Sequence, residues 1–160
     1  MSGIQALLMV LESAQKERDA AVSTLESARQ AHDSARQQAQ SLHDWRQDYQ
    51  RRWQNQFQQS GGVEIVRCYQ GFIERLGDAV SEQDRRVGLS EQHMARCRAQ
   101  LIERERRVAA VSQLIDRRQA EAQLKQSRQE QKATDEMAAR SVRFKQAMEA
   151  SSNEQASGAA

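Results

Sequence analysis

Residues 66–115 read VRCYQGFIERLGDAVSEQDRRVGLSEQHMARCRAQLIERERRVAAVSQLI, and every seventh residue from the first is large and aliphatic: Val66, Ile73, Val80, Val87, Met94, Leu101, Val108 and Ile115, with Ala122 continuing the series. Such a repeat lays one narrow apolar stripe along a helix, the seam by which coiled-coil helices pair. A companion series, Tyr69, Leu76, Gln83, Ser90, Cys97, Arg104 and Val111, marks the same side with a more polar character. Upstream, positions 4, 11, 18, 25, 32, 39, 46, 53 and 7, 14, 21, 28, 35, 42, 49, 56 form a second ladder, twelve of whose sixteen residues are apolar when alanine is counted. Between the ladders stands Ser60-Gly61-Gly62, where paired glycines are free to take the positive φ that ends a helix. Residues 1–150 are therefore expected to form one all-α domain, a long antiparallel two-helix coiled-coil hairpin with helices over about 3–58 and 64–149 and a turn at 59–63.

The two ladders test each other, because an antiparallel pair matches an a position with a d position at a constant index sum. That sum is 122, and it sets Ala14 opposite Val108, Ala21 opposite Leu101, Ala28 opposite Met94 and Ala35 opposite Val87. Small alanines face large aliphatics, the complementarity that close helices require. The same sum matches Leu7 with Ile115, Leu11 with Val111, Leu25 with Cys97, Leu42 with Val80, Tyr49 with Ile73 and Trp53 with Tyr69. Its midpoint, residue 61, falls on the glycine pair. Arg18 opposite Arg104 is the discordant layer, and it requires both side chains to snorkel outward to acids such as Glu17 or Glu103.

Beyond Arg118 the second helix overhangs its partner, and the seam fades into Gln, Lys, Arg and Glu with scattered Met137, Phe144 and Met148. Ser2 with Gln5 reads as a capping box that starts the first helix at the N-terminus. Residues 151–160, small and polar, are expected to be a disordered tail.

Composition agrees with a seam rather than a globular core. The chain has 160 residues, no proline, 38% apolar and 29% charged residues, against about 45–50% apolar in ordinary domains. A two-helix coiled coil supplies no enclosed cavity for catalysis, so no enzyme, no metal and no cofactor is expected. His93 and Cys97 stand at i and i+4, with His32 about a turn away in the register; a seam cysteine beside partly exposed histidines is favoured over a metal cluster. Twenty arginines against four lysines favour bidentate pairing. The basic run Arg104-Glu105-Arg106-Arg107 is interrupted by acids and lacks stacking aromatics, which favours a solvated ion-paired face over a nucleic-acid site. Gly71, Gly77 and Gly88 either mark local bending near the turn or have no such role. No apolar run reaches membrane-span length and Met1–Val10 lacks a basic leader, so a cytoplasmic protein is expected.

The sharpest feature is the seam edge near the turn, where the g positions Trp45, Phe72 and Ala79 join Leu42, Tyr49 and Leu76 in an apolar, aromatic face. Two helices provide no third layer to cover it, and uncovered faces of this kind mark binding surfaces.

These residues carry a resemblance. Leu42-His43-Asp44-Trp45-Arg46-Gln47-Asp48-Tyr49, Tyr69-Gln70-Gly71-Phe72-Ile73-Glu74-Arg75-Leu76 and the run Gln131 to Arg140 resemble, in order, three motifs of the flagellar export protein FliJ family, with Trp45 where the family usually has tyrosine. The resemblance spans nearly the whole chain. It implies a fold similar to the central stalk of rotary ATPases and a non-enzymatic, cytoplasmic component of the flagellar type III export apparatus, held peripherally at the inner membrane. The implied partners are the export ATPase FliI as a hexamer, the export gate protein FlhA, export chaperones and the ATPase regulator FliH, with no nucleic acid and with membrane contact only through the gate. By resemblance the gate-binding face is Gln38, Leu42, Trp45, Tyr49, Phe72, Leu76, Ala79 and Gln83. The ATPase-binding end comprises Leu7, Leu11, Arg18, Arg117, Arg118, Arg128, Asp135, Glu136 and Arg140. The alternatives are the stalk protein of a virulence injectisome and an arginine-faced nucleic-acid-binding coiled coil.

Overall fold

The computed structural model describes residues 2–57 and 62–159. The chain is all-α, with two long helices packed against each other: α1, Ser2–Phe57, and α2, Val63–Ser157. Most of the expected turn, residues 58–61 with Ser60 and Gly61, lies outside the described residues. Two compact units are present, one comprising Val10–Ala110 and the other Met1–Met9 with Val111–Ala160.

Within Val10–Ala110 the helices run antiparallel in the register expected. Leu25, Ala28 and Cys97 form a buried cluster, and Met94 and Leu101 pack on it. Ala14, Ala21 and Ala39 are buried along the same seam, as is Val80 on the facing helix. The interior is thin because alanines occupy most of one side, so the helices approach closely and little side-chain volume is needed to fill the space.

Two polar layers interrupt this seam. His32, only 8% exposed, lies opposite Ser90 at the same index sum of 122, with Nδ1 2.9 Å from the Ser90 hydroxyl oxygen. That hydroxyl donates to the Val87 carbonyl at 2.7 Å and therefore accepts from His32 Nδ1–H. Gln83, buried, donates through Nε2 to the Ala35 carbonyl at 3.0 Å and to Gln38 Oε1 at 3.3 Å. Both buried polar groups are thereby satisfied, which removes the penalty an apolar seam would otherwise impose on them.

The discordant arginine layer is resolved largely as its chemistry requires. Arg104 reaches Glu17 Oε2 at 3.1 Å across the helix pair, and Arg107 reaches the same oxygen at 3.0 Å. Arg18 instead turns along its own helix to Asp19, with Nε and Nη2 3.1 and 3.0 Å from Oδ1.

In the unit of Met1–Met9 and Val111–Ala160, Ile115 is buried, and Leu7, which the register sets opposite it, is half-buried. From Asp116 to Gly158 and Ala159 every residue is exposed. α2 continues to Ser157, through residues 151–157 of the expected disordered tail. Residues 151–157 contain no proline, and extending an existing helix needs no new nucleus, so even poor helix formers are carried along. The helix stops at Gly158, whose N–H still donates to the Glu154 carbonyl at 3.1 Å.

Candidate functional site

The candidate binding face lies within Val10–Ala110, built from the C-terminal part of α1 and the N-terminal part of α2. Heptad spacing brings Tyr49 and Trp53 of α1 to the same edge as Tyr69 and Phe72 of α2. Trp53 stacks on Tyr69 with ring centroids 4.2 Å apart and planes 6° apart. Tyr49 stacks on Tyr69 at 5.6 Å and meets Phe72 at 4.4 Å with a 44° tilt. The aromatic groups thus form one continuous chain across the two helices, with Tyr69 and Tyr49 as its inner links. Burial, and secondarily the neighbouring Tyr49, holds the Tyr69 phenol above its ordinary pKa.

Beside this chain is a concavity of about 230 Å³, lined by Trp45, Asp48, Tyr49, Arg52, Phe72 and Leu76. Its wall is aromatic and aliphatic, and its rim carries the Arg52–Asp48 ion pair at 3.2 Å. Trp45 is 65% exposed and Phe72 42% exposed, so large apolar surface remains in contact with water. A second, more polar concavity of about 560 Å³ shares Trp45 and is lined by Ser34, Gln37, Gln38, Ser41, Leu42 and Gln83. Apolar walls with a few positioned polar groups suit an inserted side chain of a partner protein.

Of the eight residues expected here, Gln38, Leu42, Trp45 and Gln83 line the second concavity, while Trp45, Tyr49, Phe72 and Leu76 line the first. Ala79 is exposed and lines neither. Gln83 is less available than an exposed seam edge suggests, being committed to Ala35 and Gln38. Sequence reasoning missed the Asp48–Arg52 rim, although its i, i+4 spacing was the signal for it.

It also missed a polar bridge beside this face. The His43 Nε2 lies 3.1 Å from both carboxylate oxygens of Asp84, and Arg46 Nη2 is 3.3 Å from His43 Nδ1. Arg46 can only donate, so Nδ1 accepts and Nε2–H donates to Asp84. One tautomer thus ties α1 to α2 at the outer edge of the seam.

The second candidate set is divided between the two units. Leu11 and Arg18 belong to Val10–Ala110, whereas Leu7, Arg117, Arg118, Arg128, Asp135, Glu136 and Arg140 belong to the other. The two leucines are half-buried, and the last six residues are exposed on α2. Elsewhere the arginine face is largely neutralised: Arg85 and Arg86 pair with Glu82 at 2.8 and 3.4 Å, and Arg106 pairs with Glu103 at 3.2 Å. The Arg85 hydrogen bond, the largest effect, holds the Glu82 carboxyl below its ordinary pKa; desolvation, the next largest, opposes it, and the charge of Arg85 with the hydrogen bond and charge of Arg86 add to the lowering. His93 Nε2 lies 3.7 Å from the buried Cys97 Sγ, while His32 is engaged with Ser90. Among the described residues no group of three or more His, Cys, Asp or Glu side chains is arranged to hold a metal ion. No helix among them is long and apolar enough to cross a membrane.

No curated protein and no solved structure matches the chain. Against known protein families, residues 3–147 match the one described as Flagellar FliJ protein. The match takes in both helices, the aromatic face and most of the exposed part of α2, and the chain belongs to the FliJ family.

Proposed function

We propose that this chain, a component of the flagellar export apparatus by its family, acts as a non-enzymatic stalk joining the export ATPase to the export gate on the cytoplasmic side of the inner membrane. The observation that carries this reading is the uncovered aromatic concavity at Trp45, Tyr49, Phe72 and Leu76. It coincides with four positions at which the family resemblance implies contact with FlhA. Aromatic anchors beside a solvent-open concavity are the usual form of a protein-binding hot spot.

The other end of the stalk, in this reading, comprises Leu7, Leu11, Arg18 and the exposed α2 residues Arg117, Arg118, Arg128, Asp135, Glu136 and Arg140, and it promotes assembly and activity of the FliI hexamer. A helix with different side chains on each face contacts the subunits of a ring unequally, and such differential affinity is what shifts a conformational equilibrium. Handling of export chaperones and contact with FliH belong to the same proposal, without residues assigned to them. The arginine pairing with Glu17, Glu82 and Glu103 argues against a nucleic-acid-binding face, because those cations are already partnered.

The test is ATP hydrolysis and ring assembly of the flagellar export ATPase from the same genome, with and without the chain. Stimulation with hexamer formation is expected, together with loss of stimulation on deleting residues 119–150. Unchanged hydrolysis and assembly in the presence of the full chain would overturn the stalk role.

A further inference from the structure

Along the seam of Val10–Ala110, Ala14, Ala21, Ala28 and Ala35 recur every seven residues, and so do the Val108, Leu101, Met94 and Val87 that they face, with Val80 next in that series. Displacing one helix by a heptad, about 10.5 Å, therefore leaves each alanine opposite another large aliphatic. An index sum of 115 in place of 122 matches Ala14 with Leu101, Ala21 with Met94, Ala28 with Val87 and Ala35 with Val80. Packing of small against large does not choose between the two. The shifted sum also takes Arg18 off Arg104 and sets it opposite Cys97, matches His32 with Gln83, and gives Ala39 and Leu42 the aliphatics Leu76 and Ile73. A slip in the other direction, to a sum of 129, is poorer, because it sets Leu25 against Arg104 and Gln56 against Ile73.

The present register is distinguished by its polar ties. Ser90 accepts from His32, Gln83 donates to the Ala35 carbonyl and to Gln38, Glu17 holds Arg104 and Arg107, and His43 donates to Asp84. Isolated polar pairs in a seam are the usual means by which a coiled coil selects one register. The ties of Glu17 and Asp84 are partly open to solvent and individually weak. Residues 54–56 of α1, which the connection takes up in the shifted register, are exposed, so unwinding them gives up few contacts. The larger costs are the Trp53–Tyr69 stack and a layer that sets Leu25 against Ser90.

We propose that the hairpin is a two-register device, in which α2 slides one heptad along α1, away from the turn, and the slide closes the candidate binding face. In the present register the edge positions match at a sum of 124: Glu17 pairs with Arg107, and Arg52 and Phe72 line one concavity. Trp45 and Phe72 are thus seven residues out of step, and the concavity lies between them. At the shifted edge sum of 117 they are matched directly, and each ring takes up the space that the other walls. A discrete jump between two packed arrangements is how one element ratchets past another. A partner seated in the open concavity holds the present register by its differential affinity. That consequence for docking rests on the stalk reading, whereas the second register does not.

Cys97, buried in the seam, reports the register directly. In the full chain with Cys68→Ser, Leu25→Cys sets a second thiol opposite Cys97 in the present register, and Arg18→Cys does so only in the shifted one. An offset of about 10.5 Å is beyond the reach of a disulfide unless the helices move. His32→Cys, offset equally in the other direction, is the control, and a generous one because it also removes the tie to Ser90. Each variant is oxidised at low concentration with copper phenanthroline, the intramolecular disulfide is read by mass spectrometry, and circular dichroism verifies the helix. Leu25→Cys is expected to close fully, and Arg18→Cys to close more slowly but well ahead of His32→Cys. Glu17→Gln, which frees Arg104 and Arg107, should speed closure in Arg18→Cys about two- to fivefold. With Trp53→Phe added, acrylamide should quench Trp45 less in the chain locked through residues 18 and 97 than in the one locked through 25 and 97. No disulfide in Arg18→Cys, or closure no faster than in His32→Cys, overturns the proposal. Closure that Glu17→Gln leaves unchanged also overturns it, as fraying rather than sliding, and equal quenching of Trp45 overturns closure of the face. Neither gate protein nor ATPase enters the assay, so its failure is separate from failure of the stalk role.

Discussion

Trp53 of α1 lies flat on Tyr69 of α2, ring centroids 4.2 Å apart and planes 6° apart. The two are matched at an index sum of 122, the register that also sets His32 opposite Ser90. The stack is thus a seam layer and the first link of the exposed aromatic chain. It couples stability of the helix pair to the geometry of the candidate binding face. Replacing Trp53 or Tyr69 by alanine is expected to lower stability, and a double-mutant cycle in urea, followed by circular dichroism, should return a coupling of about 0.5–1.5 kcal/mol. A coupling indistinguishable from zero would mean that the rings only happen to be adjacent.

The same layer predicts a response to alkali. Tyr69 has its pKa raised above the ordinary tyrosine value, first by burial and then by Tyr49. A raised folded-state value means the protonated phenol is favoured by folding. The contribution is therefore complete below the unfolded value near 10 and is lost as pH rises through the higher folded value. Phenolate absorbance should show one tyrosine titrating above the unfolded range, and Tyr49→Phe should bring it partly back, leaving the burial effect in place. Two tyrosines titrating at the ordinary value would contradict this reading.

Ser90 predicts a cost that exceeds its size. Its hydroxyl both donates to Val87 and accepts from His32, which is buried. Ser90→Ala therefore removes the acceptor of a buried imidazole N–H, and about 1–3 kcal/mol of stability should be lost. His32→Leu with Ser90→Ala replaces the polar layer by an apolar one and should recover much of that loss, since neither partner is then left unsatisfied. Urea midpoints of the single and double variants measure the difference. A double variant as unstable as Ser90→Ala would show that packing, rather than the hydrogen bond, sets the layer.

How much of this was legible in the sequence depends on the residue. The sevenfold series gave the α2 seam directly, and the facing alanines gave the register, because sterics permit large residues only opposite small ones. Leu25 beside Cys97 and Trp53 on Tyr69 follow from that arithmetic alone. The exposed edge at Trp45 and Phe72 was legible for a related reason: neither residue is needed to fill a layer. Three things were not. Arg18 turns to Asp19 although Glu17 was as near in sequence, and Glu17 is taken up by Arg104 and Arg107. The His43–Asp84 bridge sits off the seam, where the heptad makes no demand. The helix to Ser157 depends on propagation from upstream rather than on the propensity of its own residues.

Gly77 and Gly88 offer a gain. Both lie inside α2, neither has positive φ, and a Cβ at either meets no atom within 4 Å. Of the two readings left open for them, local bending or no such role, α2 runs through both positions without a break. Gly77→Ala and Gly88→Ala should each raise stability by about 0.4–1 kcal/mol, by reducing the freedom of the unfolded chain without a clash in the folded one. Thermal melts of the two variants and their combination, which should be nearly additive, check this; a loss of stability at either site would reveal a constraint on the backbone there.

The proposed binding face separates two kinds of aromatic residue. Phe72 touches Tyr49 at 4.4 Å and belongs to the aromatic chain that holds α1 to α2. Trp45 makes no such ring contact among the described residues, is 65% exposed, and forms a wall shared by both concavities. Trp45→Ala should therefore leave the urea midpoint nearly unchanged, as surface substitutions do within about 0.5 kcal/mol, while weakening gate binding by about 2 kcal/mol or more as a hot-spot anchor does. Phe72→Ala should reduce both quantities, because it removes a wall of the concavity and a link between helices at once. Titration of the cytoplasmic part of FlhA, read beside the unfolding curve of each variant, distinguishes the two. Should Trp45→Ala bind the gate as tightly as the unaltered chain, the exposed tryptophan would be no anchor, and the concavity it walls would lose its claim to be the docking site.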